Sequence, residues 1–420
     1  MPRWQGASRV LPAGRSFYSV LPRVAACWNA GSGTPHSDPY SSMTQSLVKA
    51  RWLSVALAAV LAMVTVAACD SVGTSNSNTD FDRTALLQNY GSEIILPSYE
   101  ALASDVADLD ASAEAFVDAP SEETLAAVRA DLKSARMAWQ KVSLYQFGPA
   151  ESLTLRSALN TYPTDTDRID ANIASGEYAF GSISDKDAGG FPALGYLLHD
   201  ASATDAEIIA AYTDGAEADS RAAYLLENIA FIQDNADAVV AEWAPSGGDY
   251  LGMFTSEANA GTDVGSSLGM VVNAYVKHYE RALRDGKIGI PAGVRSAGVP
   301  RASSTEAAHA GYSLELALAN LQAVKDLYLG KRPGGQNGMG LDDNLQALGT
   351  ESLHTDIVAE MDGAISALQA LQDPLANQIE TNNDPVLTAF QEMQDVVVLL
   401  KADMTSALGI TITFQDNDGD

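Results

Sequence analysis

Cysteine is nearly absent from this 420-residue chain, which contains only Cys27 and Cys69. Both stand within the first 69 residues. The remaining residues therefore form no disulfide, and they supply no thiolate for catalysis, an iron–sulfur cluster or a cysteine-ligated zinc site.

Basic residues are also scarce. Lys and Arg total 25 against 54 Asp and Glu, which gives a net charge of −29. Nucleic acids and anionic lipid surfaces attract clusters of basic side chains, so the composition argues against both as partners. We interpret the acidity as a surface kept soluble in a salt-rich habitat; a surface that attracts cations is the alternative.

The motifs of several enzyme classes are missing as well. The histidines that follow Cys69 form neither His-x-x-x-His nor His-Glu-x-x-His, so the chain lacks the ligand set of a zincin peptidase. It also lacks a dinucleotide-binding fingerprint. Residues 330–335 (GKRPGG) differ from a phosphate loop because the lysine precedes the later glycines. The sequence therefore predicts a protein that is not an enzyme.

The N-terminal segment has the pattern of an export signal. Residues 1–42 have no sustained apolar period, and we interpret them as a mis-annotated extension before the true start at Met43. Residues 43–68 contain two basic residues, a short apolar run and the ending VAA before Cys69, which resembles a bacterial lipoprotein signal peptide. We predict lipidation of Cys69, which attaches the protein to a lipid bilayer of the cell envelope, on the periplasmic side or the outer surface, through a tether at 69–82. An uncleaved transmembrane anchor is the alternative.

Apolar residues recur every three or four positions through most of the remaining chain, which predicts an all-α fold. We expect one helix from about residue 121 to 147–149 and others at 205–243, 262–284, 305–329, 351–371 and 385–408. The glycine- and proline-rich segment 285–304 is predicted as a loop. Residues 410–414 alternate like a strand, and we expect a short extended tail there.

An apolar stretch at 189–198 (GGFPALGYLL) opens on a glycine pair. Gly189 and Gly190 allow a tight backbone entry, and Pro192 suits a first helical turn, where its missing N–H is not needed. We predict the start of a buried helix here.

Several short segments together resemble the imelysin-like family of bacterial envelope lipoproteins. They are residues 135–140 (ARMAWQ), 147–149 (FGP), 189–198, 287–291 (KIGIP) and 416–420 (DNDGD), and the similarity runs over 81–420. The resemblance implies two helical bundles, related by duplication, that face each other across a cleft. The glycine-rich segment 247–261 would then separate a first bundle at 83–247 from a second at 261–420.

In that family the 189–198 stretch usually carries Gly-x-His-x-x-Glu, a proposed metal or ligand motif. Here Gly190 is kept, but Pro192 stands in place of the histidine and Gly195 in place of the glutamate, so the motif is degenerate. Among the other candidates, Glu280 and Glu315 offer hard oxygen ligands for iron or calcium. The alternative to a ligand role for each candidate is a position on a solvated helix face or in a structural ion pair. The ligand-binding candidates are Arg136, Trp139, Pro192, Gly195, Glu280, Ser313 and Glu315.

Two functions from different classes fit these features. The resemblance implies a lipid-anchored binding protein of the cell envelope that captures iron, a metal complex or another ligand between two helical bundles, without peptidase activity. The alternative is a helical adaptor lipoprotein that has lost its metal motif and binds a protein or peptide partner.

Overall fold

The computed structural model describes residues 81–199 and 203–414. The described residues form helices and turns without a β-strand, apart from one isolated bridge between Lys331 and Asn337. The predicted all-α fold is therefore confirmed. Within these two ranges, no helix has the length and apolar character needed to cross a membrane. The predicted extension, the signal peptide and Cys69 lie outside the described residues, as does most of the predicted tether.

Most of the α-helices are short, and a few long ones carry the core. In chain order they are α1 Arg83–Gln88, α2 Leu96–Asp118, α3 Glu122–Val142, α4 Pro149–Ser152, α5 Leu155–Leu159, α6 Thr166–Ser175, α7 Gly190–His199, α8 Asp205–Ala211, α9 Ala218–Trp243, α10 Tyr250–Phe254, α11 Ser267–Lys277, α12 Ser313–Tyr328, α13 Leu341–Ala347, α14 Glu351–Gln369, α15 Leu375–Thr381, α16 Asp384–Val398 and α17 Thr405–Leu408. Wider π-helical turns continue three of them, at Asn89–Ile95, His278–Gly289 and Leu399–Met404. Single 3₁₀ turns occur at Glu257–Asn259 and Ala302–Ser304.

Helix α3 begins where the sequence predicts. The Ser121 hydroxyl accepts from the Thr124 backbone N–H at 3.2 Å, and the Thr124 hydroxyl accepts from the Ser121 N–H at 3.0 Å. This reciprocal cap satisfies two donors that a helix start leaves without partners. Leu125 and Val128 are fully buried, as the apolar spacing predicts.

Four predicted helices are wrong in extent. The helix from residue 121 ends at Val142 rather than at 147–149, and the one expected at 262–284 begins at Ser267. Residues 205–243 form α8 and α9 rather than one helix, because a turn around Gly215 separates them. Helix α12 begins at Ser313 instead of 305, since Gly311 has a positive φ of 75° that a helix does not accommodate.

The predicted loop at 285–304 is shorter than expected, because the π-helical segment His278–Gly289 continues into it. Residues 410–414 join no sheet; instead the Thr413 N–H donates to the Asn273 side chain at 2.8 Å.

The N-terminal and C-terminal helices pack against each other at a contact between α3 and α12 that positions the site. Helices α2, α3 and α9 pack together, and so do α12, α14, α16 and the π-helical segment His278–Gly289. Helix α3 also packs against α12, and the buried apolar side chains on both sides of this contact form one continuous core. Polar side chains on α3 therefore meet polar side chains from the C-terminal part of the chain. The duplication, the cleft and the boundary at 247–261 stay predictions.

Candidate functional site

Helix α7 is the buried helix predicted at 189–198, and glycine is required at its first residue. Gly190 has a positive φ of 72°, and a Cβ atom there would lie 2.4 Å from the Leu159 carbonyl oxygen. Its N–H donates to the Asn228 side chain at 2.8 Å, which holds the helix start against α9. Pro192 and Gly195 follow within the first two turns, and both are buried.

Pro192 and Gly195 line a cavity of about 500 Å³ together with Arg136 from α3 and residues of the 302–309 segment. This volume suits a small ligand. The floor is buried and includes Arg136 and Glu306, whereas exposed residues form the rim. Those rim residues are Pro163, Ser303, Asn377 and Glu380.

Arg136 is only 1% exposed although it carries a full positive charge. Its Nη2 donates to the backbone oxygen of Glu306 at 2.9 Å, and its guanidinium lies 5.6 Å from the centre of the Tyr312 ring. The other two guanidinium nitrogens, Nε and Nη1, have no hydrogen-bond acceptor among the described residues. Gly195 is adjacent, because a Cβ at that position would lie 3.2 Å from Nη1.

Glu306 is the centre of a buried network that connects the two parts of the chain. Its Oε1 accepts from Gln140 at 2.9 Å and from Asn160 at 2.8 Å, and its Oε2 accepts from Lys287. The Lys287 ammonium also donates to the Gln140 Oε1 at 2.8 Å. Buried charges are stable only when they are paired and hydrogen-bonded, and these two are.

A second set of polar contacts extends the network behind the cavity. The Arg156 Nη2 donates to the Ser143 carbonyl at 2.7 Å and lies 2.8 Å from the His278 Nδ1. Because Nδ1 must accept there, the His278 proton is on Nε2, which donates to the Asn320 Oδ1 at 2.7 Å. The Asn320 amide nitrogen donates to the Gln140 carbonyl at 2.7 Å, so the two sets are continuous.

The protonation states follow from burial and from neighbouring charges. Burial, reinforced by Arg156, lowers the pKa of His278 well below its ordinary value, so the ring is neutral. Burial also lowers the pKa of Arg156, to about 10, which leaves it protonated at neutral pH. Burial opposes ionisation of Glu306, but Lys287 and Arg136 more than offset it and its pKa is lowered. Two buried cations, Arg136 and Lys287, and the partly buried Arg156 therefore surround one buried carboxylate.

Trp139 and Ser313, two further candidates from the sequence, are part of the packing rather than of the cavity. Trp139 is buried in the core, with its ring centre 6.5 Å from that of Phe191. Ser313 is buried at the start of α12, where its hydroxyl accepts from the Ala307 N–H at 3.4 Å. Neither residue lines the cavity.

Glu280 and Glu315, the two predicted carboxylate ligands, are separated from this cavity and have their own partners. Glu280 is buried and accepts from the Lys401 ammonium at 2.8 Å. Glu315 is half exposed and lies 2.6 Å from the Lys133 ammonium. Within the described ranges, no group of three His, Cys, Asp or Glu side chains is placed to hold a metal ion. Both glutamates are thus in ion pairs, which is the alternative given for them in the sequence analysis.

Sequence reasoning missed Glu306, Lys287, Gln140 and Asn160. Glu306 is one of 54 acidic residues, and Lys287 lies in a segment predicted as a loop. One signal was available: Gln140 and Lys287 lie in two of the segments that resemble the family, 135–140 and 287–291.

Comparison with known proteins gives one family for most of the chain. The imelysin family model, which carries the label Peptidase_M75, matches residues 95–401. Iron-regulated protein A from Synechococcus elongatus is 29% identical over 79 residues. That alignment covers 19% of this chain and 22% of the relative, so it spans about a fifth of the relative's length.

Two solved structures have the same fold. An iron-regulated protein A precursor from Parabacteroides distasonis ATCC 8503 aligns with a TM-score of 0.64 and 17% identity, over 78% of this chain and 95% of that one. An imelysin-like protein from Psychrobacter arcticus 273-4 aligns with a TM-score of 0.60 and 18% identity, over 79% of this chain and 97% of that one.

Proposed function

We propose that this chain, which belongs to the imelysin family, is a non-catalytic binding protein of the cell envelope, lipid-anchored through Cys69. Its ligand occupies the cavity between Arg136, Pro192, Gly195 and Glu306. The observation that carries this proposal is the convergence on one 500 Å³ cavity of the degenerate motif on α7, a charged residue of α3 and the C-terminal network.

The same cavity argues against metal-dependent peptidase chemistry. The described residues place no group of three metal-ligating side chains anywhere, and Pro192 and Gly195 bring no polar atom beyond the backbone. A bare iron ion does not fit this donor set, because iron needs several oxygen or nitrogen ligands. The printed name of the Synechococcus relative refers to iron, so iron remains a candidate cargo, provided that it arrives already chelated.

The test is to identify what the protein retains when purified from the cells that make it. We expect elemental analysis and mass spectrometry of the released molecules to find one small molecule or metal complex in near-stoichiometric amount. A Ser303→Trp variant, which adds bulk at the exposed rim of the cavity, should retain less. Ser352→Trp, at an exposed position of α14 that lines no described cavity, is the matched control.

Equal retention by both tryptophan variants would contradict the proposal. If the wild-type protein instead retains a polypeptide, and the Ser303→Trp variant does not, the adaptor hypothesis is the better one.

A further inference from the structure

The cavity floor carries a guanidinium with two nitrogens that have no acceptor among the described residues. These are the Nε and Nη1 atoms of Arg136. Tyr162 also lines the cavity and brings a phenolic hydroxyl to it. Burial, reinforced by Glu306, raises the pKa of Tyr162, so the phenol stays protonated and able to donate. A buried guanidinium N–H without an acceptor is unfavourable, and a ligand that supplies acceptors removes that cost.

The charged groups around the floor have a net positive charge, which favours an anion. Arg136, Arg156 and Lys287 are three cations, and Glu306 is the one carboxylate with which they interact. The other acid that lines the cavity is Glu380, which is exposed at the rim, where solvent and salt screen it. Charges act more strongly in a protein interior than in water. The excess therefore attracts an anion and repels a cation, although the whole chain has a net charge of −29.

Gly195 leaves space for such a ligand beside the guanidinium. A Cβ at this position would already lie 3.2 Å from the Arg136 Nη1. Glycine thus keeps the protein's own side chain out of the position where an acceptor atom would contact Arg136. Pro192, on the same helix and the same cavity wall, adds no competing polar group.

We propose that this cavity binds a small oxyanion, a carboxylate or phosphate group, through charge-assisted hydrogen bonds from Arg136 and a further bond from Tyr162. The proposal rests on the proposed function and specifies the ligand of that same cavity. The oxyanion belongs either to a free acid or to the chelator of a metal complex, since both present the same charged oxygen atoms.

Calorimetric titration of the purified protein tests the proposal. The probes are citrate, ferric citrate, inorganic phosphate and calcium chloride, each at high salt to suppress diffuse surface binding. We expect one of the anionic probes to bind with a stoichiometry of one, and calcium not to compete with it. Binding of citrate alone indicates a free acid, whereas binding of ferric citrate in preference to citrate indicates a metal complex.

Three test variants and one control show whether the anion binds in this cavity. Arg136→Gln should weaken anion binding by about tenfold or more, and Tyr162→Phe by a smaller factor, because the bond to a charged donor is the stronger one. Arg129→Gln is the matched control: it lies on the same helix but pairs with Asp205 at 2.8 Å outside the cavity, so affinity should not change. Gly195→Glu places a carboxylate beside Arg136 and should abolish binding.

Circular dichroism establishes that each variant is folded, and Tyr162→Phe keeps the test decisive if Arg136→Gln unfolds. If no anionic probe binds, or if binding ignores both Arg136 and Gly195, the inference is wrong. If the retained ligand is neutral and Ser303→Trp displaces it, the oxyanion inference fails while the proposed function stands.

Discussion

Glu306 illustrates how a single buried carboxylate is made stable in this protein. Desolvation penalises its charged form, but three donors reach its two oxygens, and one of them is the Lys287 ammonium. Removing one partner of a buried ion pair leaves the other charge uncompensated, which costs about 3–5 kcal/mol of stability. The network therefore determines which substitutions the site tolerates.

A Glu306→Gln substitution should lower the free energy of unfolding by about 3–5 kcal/mol. The amide keeps the shape of the side chain but removes the negative charge. Its NH₂ group must face donors in either orientation, the Gln140 and Asn160 amides or the Lys287 ammonium. Urea denaturation of the wild-type protein and the variant measures the change.

Glu315→Gln is the control for this prediction. It makes the same chemical change in a half-exposed ion pair with Lys133, for which the expected effect is about 0–1 kcal/mol. Similar values for the two variants would mean that the buried network contributes no more than a surface pair.

The site was only partly predictable from the sequence, for reasons that differ from residue to residue. Pro192, Gly195 and Arg136 were found because they occupy or neighbour family-like segments, and all three line the cavity. Glu306 was missed because its burial depends on the irregular segment before α12, and no local periodicity reports a buried carboxylate in an irregular segment. Lys287 was missed although it opens the family-like segment 287–291, because the π-helical turn that places it inside has no simple sequence signature.

At the scale of elements, the position of helix α7 depends on its first residue. Gly190 combines a positive φ of 72° with a backbone contact that excludes a Cβ. Gly176, at the end of α6, has a similar φ of 69° but open space around it. Substitutions at the two glycines therefore distinguish the cost of a left-handed backbone from the cost of a steric clash.

We expect Gly176→Ala to destabilise the protein by about 1–2 kcal/mol, the cost of a left-handed backbone for a residue with a Cβ. Gly190→Ala should cost clearly more, because its Cβ would also lie 2.4 Å from the Leu159 oxygen. It should also weaken ligand retention, since α7 carries Pro192 and Gly195. Thermal unfolding of both variants measures the difference, and equal losses would show that the contact with Leu159 relaxes freely.

The helices were predictable where one signal dominated. The Ser121 cap and the apolar spacing after it fix the start of α3, and the spacing at 351–371 gives α14 within two residues of its end. Errors arose where apolar spacing continued across a break, as at Gly215 between α8 and α9, because hydrophobic periodicity does not register a turn that keeps both flanks buried.

At the scale of the whole molecule, charge is distributed unequally. The chain carries a net charge of −29, whereas the cavity floor has a positive excess. An acidic surface is repelled by anionic lipid headgroups, so electrostatic attraction does not hold this protein on a membrane. The proposed lipid anchor would therefore supply the attachment through buried acyl chains, whose contribution grows by about 0.8 kcal/mol for each CH₂ group.

Cys69→Ser should for this reason move the protein from the membrane fraction to the soluble fraction, or leave the precursor uncleaved. Serine has no thiol to carry an acyl chain, and the −29 chain has no basic cluster after residue 69 to replace it. Cell fractionation and mass spectrometry of the mature N-terminus measure the outcome, with Cys27→Ser as the control that should leave localisation unchanged. A Cys69→Ser protein that remains membrane-bound with an intact N-terminal segment would favour the transmembrane alternative, because an uncleaved apolar segment holds the protein without a lipid.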